Sequence, residues 1–194
     1  MTLPATAGSA AAPPRLRGYF GIGVERVSKP MNVGNLFRTA HAFGASFVFT
    51  IAAAYSVRAA RSDTSLAPKH LPFYRFDSVE SMQLPAGCQL VGIEITEDAV
   101  ALPTFHHPLS AAYVLGPERG SLSPALLARC TRVVRIPTAF SLNVATAGAV
   151  VLYDRLLTMG RFGERPLGSQ GETAAPPAHV HGRPISRRKR TGAP

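Results

Sequence analysis

The chain has only two cysteines, Cys88 and Cys130, in 194 residues, and they form no CxxC pair. A framework of disulfides is therefore excluded, and two small core thiols in a reducing compartment are the simpler expectation. Acidic residues are also scarce, 11 Asp and Glu against 21 Lys and Arg, which leaves a formal net charge of +10. No run of about 18 apolar residues is present to span a bilayer. Residues 1–17 lack the charged start and apolar centre of a secretory signal. A cytoplasmic protein with no membrane association is expected. The six histidines come without a Cys or carboxylate ligand set, even at His106-His107 and His179-x-His181, so no metal is expected. Neither a GxxxxGK[ST] loop nor a GxSxG elbow occurs.

The sequence does contain enough apolar material, 46% of residues, for one core of ordinary size, and its length fits a single domain. Residues 1–17, rich in Ala, Pro, Gly and Thr, read as a flexible leader, and the folded domain is expected over residues 18–159. Residues 160–194, rich in Gly, Pro, Ser and basic side chains, read as a flexible basic tail ending in Arg187-Arg188-Lys189-Arg190. Half of the excess positive charge, +5, falls in residues 161–194 and half in the rest. Such a balance points to an anionic partner. Nucleic acid comes ahead of membrane, because no amphipathic basic helix accompanies the charge.

Stretches of strand length, rich in β-branched and aromatic residues, occur at residues 19–24, 46–51, 89–95, 111–115 and 131–136. Helical patterns lie between them at residues 34–43, around 79–82 and at 123–128, and a last helix is expected at about 143–159. This alternation predicts an α/β fold, a mostly parallel sheet flanked by helices. Gly18, Gly21 and Gly23 in the first strand invite a dinucleotide-binding reading. Their order is GxxGxG and no helix follows directly, so close backbone approach is the better account.

Three separated segments place polar groups and glycine at the ends of apolar strands or the starts of helices, where open α/β sheets build ligand sites. In the first, Asn32-Val33-Gly34-Asn35-Leu36-Phe37-Arg38, the residues Val33, Leu36, Phe37 and Ala40 form a core stripe. With Asn32 as helix cap, Arg38 leans back over Gly34 toward the helix N-terminus, an arrangement suited to a phosphate or a developing alkoxide. The second, Leu115-Gly116-Pro117-Glu118-Arg119-Gly120, turns sharply off a strand. Glu118 there is suited to accept hydrogen bonds from a substrate or to pair with Arg38. In the third, Ile136-Pro137 ends a buried strand and Ser141-Leu142-Asn143 supplies natural caps for the last helix. Ala145, Ala147, Gly148 and Ala149 follow, which implies close packing against backbone or against a partner subunit.

Taken together, Asn32-x-Gly34-x-x-x-Arg38-x-Ala40-x-x-x-Gly44, Leu115-Gly116-x-Glu118, and Ile136-Pro137 with Ser141-Leu142-Asn143-Val144 resemble the ordered motifs of the SpoU/TrmH family of RNA 2'-O-ribose methyltransferases, part of the SPOUT superfamily. The resemblance covers roughly residues 18–158. It implies a C-terminal trefoil knot, an exception to the rule that chains do not knot. It also implies a homodimer, an RNA substrate (tRNA or rRNA), and S-adenosyl-L-methionine as cofactor. By that resemblance Glu94, Leu115, Gly116, Gly120, Ile136, Ser141 and Leu142 hold the cofactor, while Arg38, Asn32, Glu118, Ser141 and Asn143 form the catalytic set. Two features depart from the family pattern: Ser121 stands where a Gly is usual, and the loop from Ile136-Pro137 to Ser141 is short. The function expected is 2'-O-ribose methylation of tRNA or rRNA. The alternative is a catalytically inactive, RNA-binding relative of the same fold.

Overall fold

Each of the apolar stretches is too short for a buried helix and rich in residues that suit a pleated surface. In the computed structural model they form β1 (Tyr19–Glu25), β2 (Phe47–Ile51), β4 (Gln89–Ile93), β6 (Ser110–Leu115) and β7 (Arg132–Arg135), and two further short strands, β3 (Phe73–Phe76) and β5 (Val100–Ala101), join them. Among the described residues three helices accompany them: α1 (Pro30–Ala42), α2 (Pro124–Arg129) and α3 (Val144–Met159), with a 3-10 turn at Leu102–Thr104. The structure describes residues 18–53, 71–117 and 120–160, all within one unit of the chain, Arg15–Arg161. The expected leader, and the tail beyond Gly160, lie outside the described residues.

Every pairing in the sheet is parallel, and the strand order is β3-β2-β1-β6-β4-β7-β5. The parallel sheet flanked by helices is the architecture expected from the sequence. Alternate residues supply two cores. On one face, Phe20, Ile22 and Val24 of β1 pack under the α1 stripe Val33, Leu36, Phe37 and Ala40 and under Ala147, Val151 and Leu152 of α3. On the other, Phe49, Leu90, Ala112 and Val114 pack under Leu126 of α2. Gly21 and Gly23 belong to this second face, where a Cβ on either would strike the rings of Phe47 and Phe49. The glycines of β1 therefore make room for aromatic rings from β2, not for a dinucleotide.

Several local expectations need correction. Helix α1 begins at Pro30, with Lys29 as its cap residue and no side-chain capping bond, so Asn32 lies inside the first turn. Proline at the first helical position is a start signal in its own right. Residues 79–82 form a single turn instead of a helix, closed by Met82 N–H on the Val79 carbonyl. Pro85 disfavours helical backbone just before it, and one turn has too few bonds to repay its ordering. Arg129 of α2 clasps this turn by donating to the carbonyls of Val79 and Met82. The strands β3 and β5 were not anticipated. Four residues at a sheet edge and two residues next to a 3-10 turn leave almost no periodic signal.

Gly148 of α3 faces α1 of the same chain. A Cβ on Gly148 would strike Leu36 and touch Ile22, so the close approach implied by the sequence is an intrachain helix contact and not a partner contact at this residue. Gly148→Leu is expected to overpack this seam and cost about 1–3 kcal/mol. Gly148→Ala should cost less, because only the mobile end of Leu36 needs to turn. Urea unfolding of the two variants checks the order.

The amino ends of the central strands are closed by Arg155 of α3, a fully buried cation. Its guanidinium donates to the carbonyls of Pro108 (2.7 Å) and Leu109 (2.9 Å) and to the Tyr113 hydroxyl (3.1 Å), and lies over the rings of Phe20 and Tyr113. Burial pushes the Tyr113 phenol up to about 12. Tyr113 in turn meets His107 Nδ1 at 2.6 Å, and His107 Nε2 meets the Asp154 carboxylate at 2.9 Å. A carboxylate can only accept, so Nε2 carries the proton and Nδ1 accepts from the phenol.

Burial lowers the His107 pKa below its ordinary value of 6.5, with Arg155 adding to that effect and Asp154 opposing it. The unfolded chain thus takes up this proton before the folded chain does. Stability contributed by neutral His107 is complete above the unfolded value near 6.5, and is lost as pH falls toward and through the lowered folded value. His107→Gln should flatten the decline in unfolding free energy between about pH 7 and pH 5, measured by urea titration at each pH.

Candidate functional site

Parallel strands leave their loops on one edge, and ligand clefts form outside the carboxyl ends. Here the ends of β4, β6 and β7 open onto a cleft of about 470 Å³, within the usual ~300–1,000 Å³ of small-molecule sites. Its apolar wall is made by Ile93, Leu115, Ile136, Leu142, Val144 and Ala147. Its polar groups are Lys29, Asn32, Glu94, Arg135, Thr138, Ser141 and Asn143. Between them run the open backbone edges of Gly116-Pro117 and Gly120.

Two helix N-termini converge on this cleft. Asn143 caps α3 through Oδ1, which accepts from Ala145 N–H at 2.9 Å. That bond fixes the amide orientation, so Asn143 Nδ2 is the donor to Asn32 Oδ1 in the first turn of α1, at 3.1 Å. One side chain therefore joins the starts of both helices. Neither helix has an acidic residue in its first turn, so the positive ends of their dipoles are left to favour an anionic or electron-rich group in the cleft.

The floor is the segment between β6 and α2, and two carboxylates hold it. Glu94, just past β4, accepts from Ile95 N–H at 2.8 Å and from Leu122 N–H at 2.9 Å. Glu25, at the end of β1 and almost fully buried, accepts from Ser123 N–H at 2.7 Å and from the Ser123 hydroxyl. Ser123 in turn caps α2 by accepting from Leu126 N–H. Arg26 completes the clamp by donating to the Ser121 carbonyl at 2.8 Å. Gly116 is enclosed by this arrangement, since a Cβ there would sit 3.1 Å from the Leu122 amide nitrogen. Gly120 has φ +107, a conformation that L side chains rarely adopt.

Of the residues singled out from sequence, Asn32, Glu94, Leu115, Gly116, Gly120, Ile136, Ser141, Leu142 and Asn143 stand together on the cleft wall. Glu118 lies outside the described residues. Arg38 is exposed on α1 and stands outside the cleft wall. It lies six residues beyond Asn32, roughly 9 Å along the helix axis. Ser141 is not a helix cap; that position belongs to Asn143. Lys29, Arg135 and Thr138 line the cleft without having been anticipated, and so does the structural pair of Glu25 and Ser123 beneath it. Pro30 was the available signal for Lys29, because a residue before a first-turn proline starts the helix. Arg135, a lone charge closing an apolar strand, carried a weaker one.

Comparison with known proteins bears on this geometry. The description SpoU rRNA Methylase family matches residues 20–153. No curated protein matches the sequence. Among solved structures, the SpoU methyltransferase AviRb from Streptomyces viridochromogenes aligns at a TM-score of 0.62 and 27% identity, over 76% of this chain and 62% of that one. That protein has also been solved in complex with the cofactor AdoMet. An AdoMet-bound rRNA methyltransferase from Sinorhizobium meliloti aligns at 0.66 and 25%, over 75% of this chain and 58% of that one. The A. aeolicus TrmH/SpoU tRNA modifying enzyme, at 0.64 and 20%, shares the fold over 73% of this chain and 76% of its own. This chain thus spans about three fifths of the length of the first two. With the family match running from β1 almost to the end of α3, the chain belongs to the SpoU rRNA Methylase family.

Proposed function

We propose that the protein is an S-adenosyl-L-methionine-dependent RNA methyltransferase that modifies the ribose 2'-hydroxyl of a tRNA or rRNA nucleotide. The observation that carries this reading is the cleft itself, where two helix N-termini joined by the Asn143–Asn32 bond face the carboxyl ends of β4, β6 and β7. Family membership and the AdoMet-bound relatives support the cofactor. The family also supports a trefoil threading of the segment from β7 through α3.

The residues present fit such a cofactor. Apolar side chains from Leu115, Ile136 and Leu142 offer a surface for a nucleobase, and the backbone edges at Gly116 and Ile136 offer amides and carbonyls for its rim. Glu94 accepts one hydrogen bond on each oxygen, from Ile95 N–H and from Leu122 N–H, and each oxygen retains a second lone pair for a ribose hydroxyl. When bound, the cofactor supplies an electrophilic methyl group on sulfonium; the protein supplies geometry and field.

In this reading Asn143, Asn32 and Ser141 position the acceptor ribose at the cleft wall, and Glu118 accepts a hydrogen bond from it. The uncompensated helix ends favour the oxygen as it gains negative charge. Arg38 acts from outside the wall, holding the phosphate on the 3' side and stabilising the forming alkoxide. A guanidinium has a pKa above about 12, so charge stabilisation is the stronger physical role than proton removal. Assembly as a homodimer is part of the proposal: Tyr153 and Leu157 present an exposed apolar stripe on α3, with Phe43 edge-on to Tyr153.

Arg38→Ala is expected to reduce methyl transfer by about 10²–10³-fold while cofactor affinity is retained, because the residue does not line the cleft. Calorimetric titration with the cofactor and a tritiated methyl-transfer assay on total tRNA and rRNA read the two halves. Near-normal turnover would refute the role of Arg38. A wild type that binds both ligands without transferring methyl would identify the inactive RNA-binding relative.

Removing residues 161–194 deletes Arg183 and the Arg-Arg-Lys-Arg run at 187–190. Counterion release is largely independent of sequence, so truncation should weaken RNA binding and reduce its log-log salt slope by up to about 3–4. The position methylated should not change. Filter binding across a salt series and mapping of 2'-O-methyl sites check both outcomes.

A further inference from the structure

The rim of the cleft carries features that the cofactor and the catalytic set do not account for. Phe140, in the loop after β7, is 78% exposed, and Ile95, on the cleft wall after β4, is 65% exposed. Ile95 lines the cleft, and Phe140 lies in the short segment between the lining residues Thr138 and Ser141. Phe140 is not on a loose tip: the Thr138 hydroxyl donates to the Phe140 carbonyl at 2.8 Å and curls the segment between Ile136 and Ser141. Arg135, the last residue of β7, also lines the cleft, and its guanidinium makes no hydrogen bond or ion pair with the described residues. Because Ile93 pairs with Val134, the chain leaves β4 and β7 side by side. Ile95 and Arg135 are therefore brought to one side of the mouth by register.

An exposed aromatic ring in the segment between two cleft-lining residues, an apolar side chain on the wall, and a cation with no partner among the described residues match the chemistry of one unstacked nucleotide. The ring and Ile95 suit a base face, and the guanidinium suits a phosphate or the base edge. Resting on the reading of this cleft as a ribose-methylating site, we infer that Phe140 and Arg135 grip the target nucleotide, Phe140 by stacking on its base and Arg135 through its phosphate. The substrate is then an unpaired nucleotide in an RNA loop. A base held within a duplex is already stacked on both faces and offers Phe140 no surface.

Fluorescence anisotropy with the full chain and saturating cofactor tests this, using a synthetic RNA hairpin with a randomised loop and a fully paired duplex of equal length. The wild type should prefer the hairpin. Phe140→Ala should weaken hairpin binding roughly 5- to 150-fold, Phe140→Tyr should restore it, and neither should change duplex binding. Arg135→Ala should lower the log-log salt slope by about one. Leu109→Ala, an exposed apolar residue at the other end of the sheet, should match the wild type. Cofactor affinity, measured separately by calorimetry, should be unchanged in all four variants.

Equal affinity of wild type and Phe140→Ala for the hairpin overturns the proposal, as does a wild-type preference for the duplex. Loss of cofactor binding in Phe140→Ala would also overturn it, because the ring would then be supporting the loop. A lower oligomeric state for Phe140→Ala in light scattering would assign the rim to a contact between copies and overturn it equally. Failure of the wild type to bind the cofactor refutes the methyltransferase reading itself, and this inference with it.

Discussion

Two carboxylates on either side of β6 hold the site in place. Glu25 ends β1 and Glu94 follows β4, the two strands that flank β6 in the sheet. Between them they accept the amide hydrogens of Leu122 and Ser123, and Arg26 takes the Ser121 carbonyl. A turn of this kind, half-buried and between a central strand and a short helix, would otherwise carry unpaired backbone groups at considerable cost. The glycine floor at Gly116 and the entry to α2 both follow from that clamp. Glu94 is consequently structural first, and any hold it has on a ligand uses the lone pairs that remain.

The same side chains show what a sequence can disclose. Asn32, Gly116, Ile136, Ser141 and Asn143 are legible in the sequence because each sits beside a strand end or helix start, where local spacing has a known spatial meaning. Glu25 was overlooked because its partner is 98 residues away at Ser123, and nothing local marks a carboxylate as a loop clamp. Asn32 was assigned the wrong local role for a related reason. Its position near a helix start was clear, but its actual partner, Asn143, is 111 residues distant. The core stripe of α1 needed only periodicity, and Gly148 needed a neighbour that no pattern names. The short strand β3 shows the remaining gap: Tyr74 and Phe76 stack on each other and meet Phe47 and Phe49 of β2 edge to face, a tertiary signal with no period to read.

The two ends of the sheet solve opposite problems. At the amino ends, Arg155, Tyr113, His107 and Asp154 bury charge by matching nearly every donor to an acceptor; only the Arg155 Nε is without a partner. At the carboxyl ends, the starts of α1 and α3 face an open cleft. A satisfied network specifies one packing and adds rigidity, whereas an open cleft leaves space for a ligand. Since α3 contributes Arg155 to the first and Asn143 to the second, one helix spans both tasks, and its register on α1 through Gly148 and Leu36 aligns them.

The strand order has a consequence for how the chain is made. β6 lies at the centre of the finished sheet, between β1 and β4, yet it leaves the ribosome long after β1. During synthesis at ~5–20 residues per second, the interval from Glu25 to Ser110 lasts on the order of ten seconds. Throughout that time β1, β2 and β3 can pair among themselves, but β1 presents an open edge where β6 will later pair. The nascent protein is therefore most exposed to mispairing along the strand that later lies beside the floor of its own cleft.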